Sequence, residues 1–287
     1  MAEPRYGTQP TIDRRWSVWH IALMAGSAFI AVLLITSLTV AWRIRQQSVQ
    51  AVAVYRLAEP PVSAEEARTL LHEAKLCLER RAHILRKSHK VSRVTVSIQN
   101  DDRVVVNFAT LDDPRVFARK LMRLGLLELR LVEPYMAAPD SEDEPPGYVW
   151  LTLSTWQFRT KPAELVLENE RLLVKRQPEL TIRKLGKAKV TRVMPRPPIF
   201  ALDIEFTPED AVAFERTTAR CLNQRLAAVV DNEVLTAPEV DGVISGGRVR
   251  IVPFRDHEEA NRIAALLQCG ALPAPLEMES FHTGTPR

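Results

Sequence analysis

The sequence predicts an α+β protein held by a single N-terminal transmembrane helix, with a ferredoxin-like βαββαβ base and a smaller α+β head subdomain. Three observations predict it. One apolar run near the N-terminus is long enough to span a bilayer, no second run of that length follows, and the apolar residues beyond it change period in the order strand, helix, strand, strand, helix, strand. The 287 residues are 46% hydrophobic and 26% charged, with 39 Lys and Arg against 35 Asp and Glu. That composition excludes a disordered acidic chain, a collagen-like fibre and a disulfide scaffold.

From Trp16 to Trp42 no Asp, Glu, Lys or Arg occurs. As a helix this run would be about 40 Å long, against a hydrocarbon core of about 30 Å. Trp16, Trp19 and Trp42 mark its ends, where indoles favour the headgroup level, and Arg14, Arg15, Arg43 and Arg45 bracket it. A cleaved signal peptide is the competing reading, because Ala51-Val52-Ala53 offers a small-x-small site. The run exceeds an ordinary h-region of about 7 to 15 residues, and two arginines separate it from that site. Arg5, Arg14 and Arg15 nearly balance Arg43, Arg45 and Arg56, so charge alone leaves the orientation undecided. The expected organisation is a tail over 1–15, a transmembrane helix over 16–42, a base over 43–133, a linker and strand-rich connector over 134–198, a head over 199–276 and a tail over 277–287.

In the base, Ala51–Leu57 alternates loosely and is rich in Val and Tyr, a short strand. Ser63 with Glu66 three residues on forms a capping box, and the helix to about Leu85 puts Ala67, Leu70, Leu71, Ala74, Leu78 and Ala82 on one face. Strands follow at Val91–Gln99 and Val104–Phe108, with Asn100-Asp101-Asp102 as the turn. Asp113-Pro114 opens a helix with Val116, Phe117, Leu121 and Leu124 inward and Gly125 as its stop. Leu127–Val132 is expected to close the sheet.

Glu133–Gly147, with four prolines and an acidic cluster, reads as a solvated linker. Short strand-like pieces then run from Val149 to Val193, interrupted by Pro162 and Pro178. Arg183, Lys184, Lys187, Lys189, Arg192 and Arg196 form a basic run with no acidic residue between Thr181 and Pro198. Such a run is the solvated face of a hairpin or a contact for an anionic partner, a lipid headgroup or a polypeptide. Nucleic acid is a poor choice, because interleaved aromatic residues for base stacking are absent.

In the head, Ile199–Phe206 is a strand and Thr207-Pro208-Glu209-Asp210 an N-cap, a first-turn proline and two carboxylates. Its helix carries Ala211, Phe214, Thr218, Cys221 and Leu222 inward. Leu226–Val230 and Val234–Thr236 form a hairpin across Asp231-Asn232-Glu233. Gly246-Gly247 leads into the strand Arg248–Val252, and Asp256 opens a last helix that Gly270 ends. Pro273 and Pro275 rule out continued helix.

Cys77, Cys221 and Cys269 have no metal spacing and read as small buried apolar residues, although a bridge between Cys221 and Cys269 is open in an oxidising compartment. The six histidines form no recognisable ligand pattern, and there is no phosphate loop, nucleophile elbow or paired-carboxylate signature. No cofactor, metal or catalytic residue is expected, and the enzyme class has nothing to rest on.

The stretch Asn223-Gln224-Arg225-Leu226-Ala227-Ala228-Val229-Val230-Asp231-Asn232-Glu233-Val234-Leu235-Thr236-Ala237-Pro238 resembles the head hairpin of the SecD protein-export family. Ser245-Gly246-Gly247, Glu258-Glu259-Ala260-Asn261, Ala264-Ala265-Leu266-Leu267 and Gly270-Ala271-Leu272-Pro273-Ala274-Pro275-Leu276 follow in that family's order. The matching positions are Asn223, Asp231, Pro238, Gly246, Gly247, Gly270, Pro273 and Pro275. Residues Glu79–Glu133 resemble the family's base more weakly. Departures are the missing glycine-rich segment between Arg43 and Ala64, Asp231-Asn232 in place of Asp-Gly, and a chain that stops where the family continues into further membrane helices.

The resemblance implies a bacterial inner-membrane protein with a cytoplasmic N-terminus and residues 43–287 in the periplasm. It implies binding of unfolded exported polypeptide beside the Sec translocase or a multi-span SecD/SecF-like protein, with membrane lipid as a further partner. The predicted span holds only His20 as a titratable group, so this polypeptide is not expected to drive transport with protons by itself. Pro-rich borders at 195–198 and 273–275 are candidate hinge edges. The alternative is a bitopic envelope scaffold that keeps the fold without the export role.

Overall fold

The computed structural model describes residues 48–88, 91–134, 144–160, 163–196 and 198–284. The expected transmembrane helix over 16–42 lies outside them, and among the described residues no helix is long and apolar enough to cross a membrane. Base and lobe both belong to the unit Val49–Thr285.

The base is a four-stranded antiparallel sheet. In chain order it is built from β1 (Val49–Leu57), α1 (Ala64–Ser88), β2 (Val91–Gln99), β3 (Arg103–Thr110) and α2 (Pro114–Leu121). The fourth strand is not the expected Leu127–Val132. It is β13 (Leu276–Gly284), and the sheet order is β13-β1-β3-β2, the order of a split β-α-β unit. Most of the predicted C-terminal tail is therefore an edge strand of the base sheet, pairing antiparallel with β1, Leu57 opposite Leu276 and Ala53 opposite Phe281. Leu276, Met278 and Phe281 pack on the base core, which is why this alternating segment outcompetes Leu127–Val132 for the edge of β1.

Local chemistry sets the element ends. Glu66 N–H donates to Ser63 Oγ at 3.1 Å, while the Glu66 carboxylate accepts from Val62 N–H at 2.9 Å, a capping box displaced by one residue. Asn100 and Asp101 both take positive φ, 53° and 58°, in the three-residue turn Asn100-Asp101-Asp102. Asp113 caps α2 by accepting from Arg115 N–H at 2.9 Å. Val116, expected inward, is 42% exposed, and Ala118 takes the inward place beside Phe117 and Leu121. The buried Tyr55 hydroxyl donates to Ala118 O at 2.9 Å, and burial raises its pKa above that of a free phenol.

The described residues between α2 and β13 form an inserted lobe. Its larger sheet has the order β6-β5-β11-β10-β4-β7, from β4 (Leu127–Leu131), β5 (Tyr148–Thr160), β6 (Ala163–Lys175), β7 (Leu180–Ile182), β10 (Leu226–Val230) and β11 (Glu233–Thr236). The smaller is β12-β9-β8, from β8 (Lys187–Pro195), β9 (Pro198–Glu205) and β12 (Arg248–Phe254). Two helices, α3 (Pro208–Arg220) and α4 (His257–Cys269), complete it. The supposed connector thus supplies the paired strands β5 and β6, and Pro195 pairs with Pro198 where β8 and β9 adjoin within a single sheet, not at a border between lobes. Every residue of β10 is buried. Leu226, Ala228 and Val230 enter one core, and Ala227 and Val229 the other, which accounts for a strand without a polar residue. Leu222, expected inward, is 39% exposed because α3 ends before it. The three cysteines are buried free thiols, so Cys221 and Cys269 are not bridged.

One arginine ties lobe to base. Arg81 on α1 is 1% exposed, and its guanidinium donates to the carbonyls of Leu121 at 3.0 Å, Leu124 at 2.9 Å, Gly270 at 2.9 Å and also Arg123. These are the orphan acceptors at the end of α2 and at the C-cap of α4. Gly125, at φ 74°, leaves room for that guanidinium, since a Cβ there would stand 2.6 Å from Arg81 Nη2. Arg81→Met removes the guanidinium from four carbonyls, of which Leu124 O keeps Leu272 N–H and Gly270 O keeps the Cys77 thiol, and should lower stability by about 3 kcal/mol in urea unfolding. A loss below about 1 kcal/mol would show that water replaces the guanidinium.

Candidate functional site

The two sheets of the lobe do not pack down fully on each other. Between them lies a cavity of about 530 Å³. β4 contributes Leu127 and Leu129 to its wall, and β10 contributes Leu226 and Ala228. These are alternate residues, so one face of the large sheet looks into the cavity. The opposite wall is Ile204 of β9 and Ile251 of β12, with Phe206 and Phe214 at one end, their rings 4.9 Å apart and edge to face. Thr218 of α3, 1% exposed, is a polar group on this wall.

The rim carries both signs. Glu239 and Asp241 stand on the segment after β11, and Arg248 and Arg250 on β12. The arginines belong to a charged ladder on the outer face of the small sheet, where Arg248, Glu205 and Lys187 lie in register, as do Arg250, Asp203 and Lys189. Arg250 Nε donates to Asp203 Oδ1, and Thr191 Oγ1 donates to Asp203 Oδ2 at 2.9 Å. The Arg250 hydrogen bond is the chief reason the Asp203 carboxyl sits below its ordinary pKa. The arrangement suits an uncharged, apolar occupant whose main chain or ends meet a polar rim.

The basic run does not form one surface. Arg183 reaches across to the carbonyls of Leu272 at 2.8 Å and Pro273 at 3.3 Å, and Ala271 N–H donates back to Arg183 O at 2.6 Å, so it anchors the crossing from α4 to β13. Lys187 and Lys189 belong to the ladder. Arg192 donates to Pro195 O at 2.8 Å across its own turn, and Lys184 is exposed beside Gly270.

The residues singled out by resemblance divide into two groups. Asp231, with φ 50°, and Asn232, with φ 68°, make the β10–β11 turn. The Asp231 carboxylate accepts from Gly125 N–H at 2.7 Å and from Arg123 Nε at 3.1 Å, which binds the hairpin to the chain beside Arg81. Gly270, at φ 87°, caps α4, and Pro273 and Pro275 lie on the strand-to-lobe crossing that Arg183 holds. Of the others, Pro238 lines the cavity, Asn223 is bonded to the lining residue Val240, and Gly246 and Gly247 lead into β12. Asn223 N–H donates to Val240 O at 2.9 Å, and Leu226 N–H to Pro238 O at 2.9 Å. Sequence reasoning missed Arg81, although its place on the apolar stripe of α1 beside Leu78 and Ala82 was a usable signal. It also missed the cavity walls, for which alternating apolar strands give no sign that facing sheets stand apart.

The depressed pKa of Asp203 predicts a sign for pH dependence. Its contribution is present above the carboxyl's unfolded pKa, near 4, and is lost as pH falls through the lower folded value. Asp203→Asn should therefore unfold more readily than wild type near pH 6, with the gap closing below about pH 3. A gap that persists in acid, measured by thermal unfolding, would remove the ladder's charge from the account.

Residues 158–274 match the family model described as SecDF, P1 head subdomain. Among curated proteins, the protein translocase subunit SecDF of Thermus thermophilus is 32% identical over 223 residues, 74% of this chain and 28% of that protein. The protein translocase subunit SecD of Acidaminococcus fermentans is 35% identical over 107 residues, 37% of this chain and 25% of that one. The chain thus spans about a quarter of the length of these relatives. A solved structure titled "Structure and function of a membrane component SecDF that enhances protein export" shares the fold at TM-score 0.56 and 24% identity, covering 80% of this chain and 98% of that chain. SecDF in its super-membrane-facing form gives TM-score 0.58 at 24% identity over 83% of this chain and 30% of that chain. Residues 158–274, which make up much of the inserted lobe, thus match a SecDF P1 head subdomain, and the chain is similar to part of the SecD and SecDF translocase subunits.

Proposed function

We propose that this chain is a membrane-anchored, SecD-like accessory factor in Sec-dependent protein export, and that the lobe's cavity takes apolar segments of polypeptide emerging on the outer side of the membrane. The single observation that carries the reading is the cavity of about 530 Å³, walled by apolar residues from both sheets and open at a rim of mixed charge, inside a SecDF head. An unfolded chain in transit exposes apolar side chains that a folded one buries, and such a cavity offers them a temporary burial worth about 25 cal/mol per Å². A client held this way is retained by many small contacts and released without breaking a specific one.

In this reading the run over 16–42 holds residues 43–287 in the periplasm, with the N-terminus in the cytoplasm, and the translocase or a multi-span SecD/SecF-like protein is the neighbour. Lys187 and Lys189 remain a solvated face, because Glu205 and Asp203 oppose them in register.

A photo-crosslinking side chain at Val243 on the rim should form adducts in cells with a precursor arrested in export, whereas one at Lys189 on the outer ladder should not. Filling the cavity with Ala228→Phe should reduce the Val243 adduct at least about tenfold and cost only about 1–3 kcal/mol of stability. Adducts of equal yield at both positions, or none with precursors or Sec components, would sink the reading. Recovery of one fixed complex with secretion unimpaired would favour the envelope scaffold instead.

A further inference from the structure

We infer that residues Asp241–Gly246 are a flap over the lobe's cavity and that Thr218 is its latch, so that one buried hydroxyl governs how readily an apolar segment gains access. The inference rests on the polypeptide-binding reading of the cavity and adds a positioning residue to it.

Both feet of the segment are fixed. At one foot Val240 N–H donates to Gln224 O at 3.0 Å while Val240 O accepts from Asn223 N–H at 2.9 Å, and Val240 is 6% exposed. At the other, Gly247 O accepts from Phe206 N–H at 2.9 Å, and a Cβ on Gly247 would stand 2.5 Å from Ala211 Cβ, so the chain passes α3 where only glycine fits. These feet are where the family-motif residues Asn223 and Gly247 lie. Asn223 at φ 58° and Gly247 at φ 61° hold backbone conformations that a freely chosen residue avoids.

Between the feet the restraints are few. All six residues from Asp241 to Gly246 are exposed, and a Cβ on Gly242 or Gly246 would meet nothing within 4 Å. Val243 is 49% exposed and Ile244 37%, yet both line the cavity mouth. Among the described residues, one hydrogen bond joins the segment to the body of the lobe, from Ile244 N–H to Thr218 Oγ1 at 3.1 Å. The same hydroxyl donates to Glu215 O at 3.0 Å, which turns its lone pair towards the flap. Thr218 is on the cavity wall, so an occupant that reaches it competes with Ile244 for that oxygen. Two rigid feet, a short glycine-containing span and one buried acceptor are what a lid on the microsecond-to-millisecond timescale needs.

The test uses the full chain. Thr218→Val replaces the hydroxyl by a methyl of similar shape, and Thr218→Ser restores it. Ile244→Pro removes the donor from the exposed side, where misfolding is not at issue. Exchange of the Ile244 amide should be about fivefold faster in Thr218→Val than in wild type or Thr218→Ser. A labelled peptide of alternating Val and Ser should associate about fivefold faster with Thr218→Val and with Ile244→Pro. Unchanged Ile244 exchange in Thr218→Val would overturn the latch. Faster exchange with an unchanged association rate would overturn the flap's control while leaving polypeptide binding in place. If neither wild type nor Thr218→Val takes up the peptide, the cavity reading falls and the flap's role falls with it.

Discussion

The buried guanidinium of Arg81 is the constraint on which the rest of the structure depends. A positive charge cannot be placed in a core without partners, and here the partners are four carbonyls drawn from two parts of the chain far apart in sequence. Three belong to the segment where the base hands the chain to the lobe, and one to the point where the lobe begins to return it. Entry and exit are fixed by the same group. Burial lowers its pKa, but a guanidinium starts so high that it stays charged, and the charge makes each of those hydrogen bonds stronger than its neutral counterpart. Asp231 extends the joint, because its carboxylate holds Gly125 N–H and Arg123 beside the same carbonyls. A hairpin turn in the lobe is thereby built into the base's own framework.

Much of this architecture was legible along the chain, where the signals are local. Ser63, Asp113, Thr207 and Asp256 are helix starts because their side chains reach orphan N–H groups two or three residues on, a geometry that depends on nothing distant. Asp231-Asn232 could be read as a tight turn for the same reason. The closure of the base could not, because Leu127–Val132 and Leu276–Gly284 are both alternating segments and either could lie beside β1. Only three-dimensional competition decides: Leu127 and Leu129 have a large lobe core to enter, and Leu276 and Met278 have the base core. A basic run is likewise ambiguous by its composition. Arg183, Lys189 and Arg192 share a charge and a neighbourhood, yet one anchors the chain crossing, one faces water and one closes a turn.

The cavity shows where local signals stop. Apolar strands facing each other are normally read as a packed core, and here several of the wall residues are more than nine-tenths buried while still bordering open space. Phe206 and Phe214 meet edge to face on the border of that space, and Gly247 lets the backbone pass close to α3. The residues that resemble an export family split between the surroundings of this cavity and the Arg81 joint. They stand at backbone positions, with positive φ or close approach, more than at contact surfaces, so the resemblance reports on shape as much as on chemistry.

The insertion of the lobe between α2 and β13 has a temporal consequence. Arg56 and Glu277, which meet across the edge of the base sheet, are 221 residues apart. A ribosome therefore delivers the first three strands of the base long before the fourth, and β1 waits with an unpaired edge and an uncovered core until nearly all of the lobe has followed. Closing so long a separation costs less once the intervening chain has collapsed, so folding of the lobe shortens the loop across which β13 must meet β1.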